Sequence, residues 1–388
     1  MNMPLPSSTQ GTYRLAVGTF YFLQGLVFAS WASRIPDIKQ TLHLNEAQLG
    51  SILLALPIGQ MVAMGISGYL VSHCGSKRTL MVAGGLYPVA LVLLGAAGNA
   101  FLLAAALFFF GMAANLCNIS VNTQGVGVER LYRGSIMASF HGLWSLAGFT
   151  GGLISAGLAG YHVSPFVHFC AIFVLCVLMS ATMGKFLLPR DTKPEAAPEG
   201  KKGRFRLPDK YITLLGCIAF GSMACEGTMF DWSGVYFAQV VKPGPALVGL
   251  GYVAFMSTMA CGRFTADRIV NKFGVIPVIR LSGVVIAAGL LISVLFPYFG
   301  TAIAGFLLVG FGVSSIVPLC YSLAGKSKTV HPGVAVAAVS TIGFLGFLLG
   351  PPLIGFIAQA SSLRWSFTVI AMIGLCTTFL APRLRKVM

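Results

Sequence analysis

Twelve long apolar runs, each about 20 residues or more, divide this 388-residue sequence between residues 14 and 382. A helix needs about 20 apolar residues to cross the hydrocarbon core of a bilayer. Charged residues make up 9% of the chain, whereas a soluble chain carries about 25%. A chain with so little charge cannot cover a water-facing surface. The sequence therefore predicts an all-α membrane protein with twelve transmembrane helices.

The basic residues in the connectors predict the direction of each span. With twelve spans, all but four of the 26 Lys and Arg residues fall on one side of the membrane. The exceptions are Arg34, Lys39, Lys242 and Arg364. The positive-inside rule makes the basic side cytoplasmic, so both termini are expected in the cytoplasm and the protein in the inner membrane.

The net charge of +16 would suggest nucleic acid in a soluble protein. Here the basic residues lie in short connectors without interleaved aromatic residues, which favours membrane lipids as partners and no nucleic acid. The nine cysteines form no CxxC or Cys/His cluster. They read as packing residues, and the sequence predicts no metal and no cofactor.

One long polar stretch separates two groups of six spans. Residues 189–210 hold Pro, Gly and charges of both signs without an apolar period, a pattern typical of a linker. The predicted organisation is an N-terminal bundle over 1–188, a cytoplasmic linker over 189–210 and a C-terminal bundle over 211–388.

The two groups repeat one another. Residues 24–31 and 226–232 both read polar-Gly-x-x-Phe and then Trp, with one gap. The turn at 70–75 matches the turn at 269–274 at an offset of 199 residues, and Gly151 meets Gly350 at the same offset. Such internal repetition is typical of secondary transporters.

These features resemble the major facilitator superfamily, in which two six-helix halves are joined by a cytoplasmic loop. The turn after the second span is similar to the family's Gly-x-Leu-x-Asp-Arg-x-Gly-Arg-Arg signature, with Ser72 in place of the Asp and His73 in place of the Arg. Several stretches resemble a mostly uncharacterised bacterial branch related to fucose permeases; they are 28–34, 128–130, 139–145, 226–232 and 350–355.

The resemblance implies a conformational latch in the two turns, where an acid bonds a basic group or helix end of the neighbouring bundle. Ser72 weakens this expectation for the first turn. Asp267 with Arg263 or Arg268 is the better candidate, and a solvated loop charge that only sets topology is the alternative.

Only two of the ten acids fall within a span, Glu226 and Asp231. An ionisable group at membrane depth is a functional candidate by default. Glu226 near the bilayer centre suits proton coupling; the alternatives are a single interhelical hydrogen bond or direct ligand contact. Asp231 is a second proton-coupling candidate. Since spans one and seven of this family line the same cavity, it also suits an outer gate with Arg34, unless both meet only headgroups or water.

Other polar and aromatic side chains within the spans predict a solute cavity. Asn115, Asn118 and Asn122 share one helix face and suit either a cavity wall or helix–helix contact. His141 and Trp144 share a face of span five and suit solute binding or a proton relay, or a histidine satisfied by a neighbouring helix. Trp31 and Trp232 suit ring stacking or an interfacial belt. Gln24 and Tyr321 complete the predicted cavity.

The sequence holds no Walker A, HExxH or GxSxG motif, so neither ATP-driven transport nor an enzyme is predicted. The first hypothesis is a monomeric, proton-coupled carrier of a small polar organic solute, sugar-like or another metabolite, working by alternating access. The alternatives are proton-driven efflux of a drug or metabolite and a non-transporting receptor or scaffold.

Overall fold

The computed structural model describes residues 7–132, 136–189, 191, 209–327 and 332–386. The described part is helical, and twelve of its helical segments are long and apolar enough to cross a membrane. This confirms the predicted fold class. Two spans are each built from a pair of helices, so the described residues form fourteen α-helices. They are α1 (Ser7–Ala32), α2 (Ile35–Thr41), α3 (Glu46–Leu53), α4 (Ala55–Cys74), α5 (Ser76–Ala96), α6 (Ala100–Glu129), α7 (Met137–Gly160), α8 (Pro165–Met183), α9 (Lys210–Tyr236), α10 (Leu250–Phe273), α11 (Val275–Leu295), α12 (Phe299–Ala324), α13 (Pro332–Ala360) and α14 (Leu363–Leu380).

Polar side chains fix where several helices begin. The Asn99 side chain accepts from the main-chain N–H of Leu102 at the start of α6, and Asp209 accepts from that of Ile212 at the start of α9. Such caps satisfy N–H groups that a helix leaves without partners. Glu129 accepts from the main-chain N–H groups of Ile136 (2.7 Å) and Met137 (2.9 Å) at the start of α7, where the helix dipole favours a negative charge.

The helices form two compact units. Unit 1 comprises Met1–Leu42 and Ala55–Ala197, and unit 2 comprises His43–Leu54 and Pro198–Met388. The units are not two continuous halves of the sequence, because helix α3 belongs to unit 2. There it packs against α13. Gly50 of α3 lies so close to α13 that an added Cβ would be 3.0 Å from Gly355 Cα. The boundaries at 188 and 211 remain a prediction.

Within each unit, equivalent helices pack in the same pairs. In unit 1, α1 contacts α7, α4 contacts α6, and α5 contacts α6 and α8. In unit 2, α9 contacts α13, α10 contacts α12, and α11 contacts α12 and α14. The two units therefore share one packing plan, as the repeat in the sequence predicts.

Glycines at the 199-residue offset mark the same helix crossings in both units. A Cβ added at Gly111 of α6 would overlap the carbonyl oxygen of Leu56 in α4. A Cβ added at Gly310 of α12 would overlap the carbonyl oxygen of Phe255 in α10. Gly111 and Gly310 are 199 residues apart, and so are Leu56 and Phe255. The same backbone contact is therefore repeated in both units. Small residues are what allow helices in a membrane to approach this closely.

A second contact at this same helix crossing has diverged between the units. In unit 1, an added Cβ at Gly59 would overlap the carbonyl oxygen of Phe108. At the same offset in unit 2, Thr258 donates its hydroxyl hydrogen bond to the carbonyl oxygen of Leu307 at 2.7 Å. A close backbone contact in one unit is thus a side-chain hydrogen bond in the other.

Candidate functional site

Glu226 lies midway along the span Lys210–Val241 and is buried. Its Oε1 atom is 3.3 Å from Nη2 of Arg263, which donates a hydrogen bond to it. A carboxylate and a guanidinium at membrane depth are each expensive to bury, and pairing reduces the cost of both. The structure therefore places a charged pair inside unit 2, formed by α9 and α10.

Arg263 reaches Glu226 because of the direction in which helical side chains point. Arg263 lies near the end of the span Pro245–Ala266, which suggested a position at the cytoplasmic edge. Side chains on a helix incline toward its N-terminus, and for Arg263 this is toward the interior of the span. The structure thus gives Arg263 a partner that the latch hypothesis did not include.

The latch itself remains a prediction. The side chain of Asp267 lies outside the described part of the structure, and Arg268 is exposed near the end of α10. Gly75 and Gly274 both have φ of +83° at the two matching turns, a backbone region that glycine enters at little cost. The two turns therefore share one backbone geometry, whatever their side chains do.

Tyr321 joins the surroundings of Glu226. Its hydroxyl donates to Oγ of Ser340 at 3.2 Å, linking α12 to α13, and it lies within electrostatic range of Glu226. One turn further along α9, the Phe230 ring stacks on Phe347 with 6.3 Å between centroids. The ion pair thus has hydroxyl groups and an aromatic pair near it.

Asp231 and Trp232 lie further along α9. Asp231 is partly exposed and lies within electrostatic range of Tyr252. Trp232 is fully buried, and its indole N–H has no partner in the described part of unit 2. Trp232 therefore packs in the interior of unit 2. Its burial indicates neither stacking on a solute nor a position in an aromatic belt at the membrane interface.

The amides of α6 make a connected hydrogen-bond chain in unit 1. The Tyr21 hydroxyl donates to Oδ1 of Asn122 at 2.8 Å. Nδ2 of Asn122 then donates to the main-chain oxygen (2.8 Å) and Oδ1 (2.5 Å) of Asn118. The Tyr21 ring also meets the edge of His141 at 5.4 Å. The structure thus brings Asn118, Asn122 and His141 together, while Asn115 keeps a buried Oδ1 without a described partner.

The remaining predicted cavity residues of unit 1 are spread along α1 and α7. Gln24 is buried and borders a small space of about 10 Å³ together with Tyr87, Cys117 and Ser180. That volume holds at most one water molecule, and a place for Gln24 in a solute cavity remains a prediction. The Trp144 ring lies 6.0 Å from Phe28.

Arg34 is buried and bonded within unit 1. Nη1 donates to Oδ2 of Asp37 at 2.7 Å, and Nη2 donates to the main-chain oxygen of Val163. Trp31, one turn before it, is fully buried, and its indole N–H has no partner in the described part of unit 1. These contacts anchor Arg34 at the end of α1, and its pairing with Asp231 remains a prediction.

Sequence reasoning missed two polar groups of unit 1. His168 of α8 is buried with neither ring nitrogen bonded in the described residues, and it lies within electrostatic range of Arg34. Asp191, just after the last helix of unit 1, accepts from the main-chain N–H of Ser76 (2.6 Å) and from its hydroxyl. Neither lies near a recognisable motif, so only the packed structure finds them.

Gln124 of α6 connects Ser76, which bonds Asp191, to the chain that follows α8. Its Nε2 donates to Oγ of Ser76 (2.7 Å) and to the main-chain oxygen of Leu188 (3.1 Å), and its Oε1 accepts from Leu188 N–H (2.9 Å). Gln124 is almost fully buried. It therefore holds residue 188 and the start of α5 together.

Gln124→Leu should loosen the chain after α8 by about 1–3 kcal/mol, because the N–H and C=O of Leu188 lose their partner. Hydrogen exchange in detergent should show protection of the amides of residues 185–188 falling about tenfold or more. Thr123→Val is the matched control, since among the described residues the Thr123 hydroxyl bonds the carbonyl of Ile119 in its own helix. Equal exchange in both variants would contradict the role of Gln124.

A match to a family model identifies the family to which this architecture belongs. The model of the Major Facilitator Superfamily matches residues 17–244 and, a second time, residues 212–387. The chain belongs to the Major Facilitator Superfamily. The double match covers both halves, and it confirms the family inferred from the sequence. Membership makes this chain a multi-pass membrane transporter; members of this family are not enzymes.

Relatives and solved structures agree with this assignment. An uncharacterized MFS-type transporter of Yersinia pestis is 34% identical over 366 residues, covering 94% of this chain and 93% of the relative. A bacterial homologue of the human lysosomal transporter Spinster has a TM-score of 0.74 at 13% identity, covering 98% of each chain. The E. coli fucose:proton symporter has a TM-score of 0.62 at 16% identity, covering 95% of this chain and 98% of its own. The structural likeness shows a shared major facilitator fold.

Proposed function

We propose that this major facilitator protein is a monomeric, proton-coupled transporter that moves a small polar organic solute across the inner membrane by alternating access. The observation that carries the proposal is the Glu226–Arg263 pair, buried at membrane depth within unit 2. Protonation of Glu226 removes a negative charge from beside Arg263, so proton binding changes the electrostatics of the site. A group with that property can couple a proton to solute binding.

The surroundings of the pair favour a polar solute. Tyr321 and Ser340 supply hydroxyl groups close to Glu226, and hydroxyl groups both donate and accept hydrogen bonds. The E. coli fucose:proton symporter, whose structure has the same fold, is consistent with transport of a polar solute. In unit 1, the chain from Tyr21 through Asn122 to Asn118 offers further polar groups.

The test is proton movement in proteoliposomes that contain a pH dye. Pooled sugars and small metabolites should produce a solute-dependent pH change with the unaltered protein and none with Glu226→Gln, because the amide cannot carry the proton. Glu46→Gln is the matched control: its Oε1 accepts from Gln239 at 3.0 Å, and it should leave the pH change intact.

The opposite result is equally clear. Solute accumulation without any pH change, equal in the unaltered protein and in Glu226→Gln, would mean facilitated diffusion or another coupling ion. Glu226 would then have a structural role only. A pH change that survives in Glu226→Gln would move the proton site elsewhere, with Asp231 the next candidate.

A further inference from the structure

The hydrogen-bond chain from Tyr21 to Asn118 in unit 1 has only one possible direction. One amide atom of Asn122 lies 2.8 Å from the main-chain oxygen of Asn118. A main-chain carbonyl can only accept a hydrogen bond, so this amide atom must be the nitrogen, Nδ2. The other amide atom of Asn122 is then Oδ1, which accepts from the Tyr21 hydroxyl at 2.8 Å. The carbonyl thus distinguishes two atoms that are otherwise hard to tell apart.

The same reasoning fixes the orientation of the Asn118 side chain. Nδ2 of Asn122 also lies 2.5 Å from the side-chain amide of Asn118. Because an amide nitrogen donates and does not accept, the Asn118 atom that faces it is Oδ1. Nδ2 of Asn118 is left with two hydrogens and with no hydrogen-bond partner among the described residues. The chain therefore ends in a pair of N–H donors.

This pair of donors is exposed at membrane depth. Asn118 lies in the middle third of the span Ala100–Glu129, and its side chain is exposed. An amide that faced hydrocarbon would lose its hydrogen bonds without replacement. Polar side chains within spans accordingly face the protein interior or a water-filled cavity. The exposed amide of Asn118 therefore faces a water-filled cavity, where a dissolved solute can reach it.

We infer that Asn118 binds a carbonyl-type oxygen of the transported solute, in a carbonyl, carboxamide or carboxylate group, and thereby determines specificity. The inference rests on the proposed function and adds the class of substrate. A carbonyl-type oxygen has two lone pairs and no hydrogen to donate. The two N–H groups of the Asn118 amide therefore satisfy it without requiring an acceptor nearby.

A hydroxyl group of a solute is a poorer match to the same place. Its oxygen can accept from Asn118, but its own hydrogen then needs an acceptor. Each oxygen of the chain already accepts a hydrogen bond, since Asn122 donates to both oxygens of Asn118 and Tyr21 donates to Oδ1 of Asn122. A polar hydrogen that has to share an occupied acceptor weakens binding. We expect a carbonyl-type group to be preferred over a hydroxyl group about tenfold.

The donors of Asn118 are held in place before a solute arrives. The Asn122 amide is fixed at both ends, by Tyr21 and by Asn118. The buried Tyr21 ring is in turn stacked on Phe140, with 5.2 Å between centroids and 5° between planes. A site whose donors are already oriented loses less conformational freedom when it binds.

The repeat shows that helix packing does not require this amide. The residue 199 positions after Asn118 is Val317 of α12, in the same register that relates Gly111 to Gly310. Helix α12 packs against α10 and α11 as α6 packs against α4 and α5. A valine is thus sufficient for the packing, and the amide in unit 1 serves something else.

Thermal unfolding of the purified full chain in detergent at neutral pH tests this inference without any transport assay. The carbonyl probes are N-acetyl-D-glucosamine, D-glucuronate and uridine, and D-glucose is the hydroxyl-only partner. At least one carbonyl probe should stabilise the unaltered protein with about tenfold higher affinity than D-glucose. Asn118→Ala should remove this preference, because it deletes both donors. It keeps the main-chain oxygen to which Asn122 is bonded, so the rest of the chain can stay in place.

A second variant and its control separate the donors from the size of the side chain. Asn118→Asp keeps the size and puts an oxygen in the place of Nδ2, so the affinity for the carbonyl probe should fall about tenfold or more. Asn99→Asp makes the same substitution in the same helix. The Asn99 oxygen caps α6 and aspartate caps equally well, so this variant should bind the probes as the unaltered protein does.

Three results would overturn the inference. In the first, none of the three carbonyl probes changes the unfolding of the unaltered protein. In the second, D-glucose stabilises it as well as the carbonyl probes do. In the third, Asn118→Ala and Asn118→Asp bind the carbonyl probe as the unaltered protein does. If the pH change in proteoliposomes still depends on Glu226, the proposed function stands and only the carbonyl contact is wrong. Loss of that dependence alone, with binding still dependent on Asn118, would contradict the proton coupling and leave the carbonyl contact standing.

Discussion

Arg263→Gln should lower the free energy of unfolding by about 3 kcal/mol, because it leaves Glu226 without its counter-charge inside the membrane. Removing one partner of a buried ion pair costs about 3–5 kcal/mol, and the partial exposure of Arg263 places the expectation at the low end of that range. The measurement is unfolding in mixed detergent micelles at neutral pH. Glu226→Gln should also be destabilising, since it removes the carboxylate from beside the guanidinium.

The double variant distinguishes a charge effect from a packing effect. With both residues changed to glutamine, neither charge of the pair remains, and the free energy of unfolding should recover to within about 1 kcal/mol of the unaltered protein. Arg280→Gln should change it by no more than about 0.5 kcal/mol. Additive losses in the double variant would mean that Glu226 and Arg263 contribute independently and do not form a pair.

Gly111→Ala should cost about 2–3 kcal/mol, although it adds one methyl group to a helix. The added Cβ would overlap the carbonyl oxygen of Leu56 and lie 3.1 Å from the main-chain nitrogen of Gln60. Backbone atoms cannot move aside as a flexible side chain can, so α4 and α6 must separate, and overpacking typically costs about 1–3 kcal/mol. Gly310→Ala should cost a similar amount, because it meets Phe255 in the same way.

Gly65→Ala is the matched control for the crossing. Gly65 lies in α4, as Leu56 does, and an added Cβ there meets nothing within 4 Å. Alanine is the better helix former by about 0.5–1 kcal/mol, so this variant should be unchanged or slightly more stable. Equal destabilisation by Gly65→Ala and Gly111→Ala would show that helix propensity, and not the helix crossing, determines the effect.

The fold could be predicted from the sequence because the bilayer limits the choices so strongly. Twelve apolar runs and the offset of 199 residues between Gly75 and Gly274 were enough to predict two repeated six-helix groups. The offset also extends to Gly111 and Gly310, but their importance depends on which carbonyl each one faces. That information lies in the packing, because the sequence shows only that a glycine is present.

The site could be predicted only in part. Glu226 stands out in the sequence as an acid within an apolar run, and the structure keeps it there. Its partner could not be found by the same reasoning, because Arg263 looks like an ordinary basic residue at a helix end until its side-chain direction is known. Gln124, Ser76 and Asp191 are far apart in sequence and join only when α5, α6 and the chain after α8 meet.

The position of α3 also escaped prediction, for a physical reason. The apolar run from residue 46 to 71 looks like one continuous span, yet the chain divides it at Leu54 into α3 and α4. Gly50 then packs against Gly355 of α13. Hydropathy measures how well a segment fits a bilayer, and it contains no information on which helix a segment will contact.

The Glu226–Arg263 pair also determines how the membrane potential acts on unit 2. Two opposite charges at one depth carry no net charge, so an electric field does little work when they move together. Once Glu226 is protonated, one positive charge remains, and moving it across the full field involves about 2.3 kcal/mol for each 100 mV. Voltage therefore acts on this pair mainly while Glu226 holds a proton.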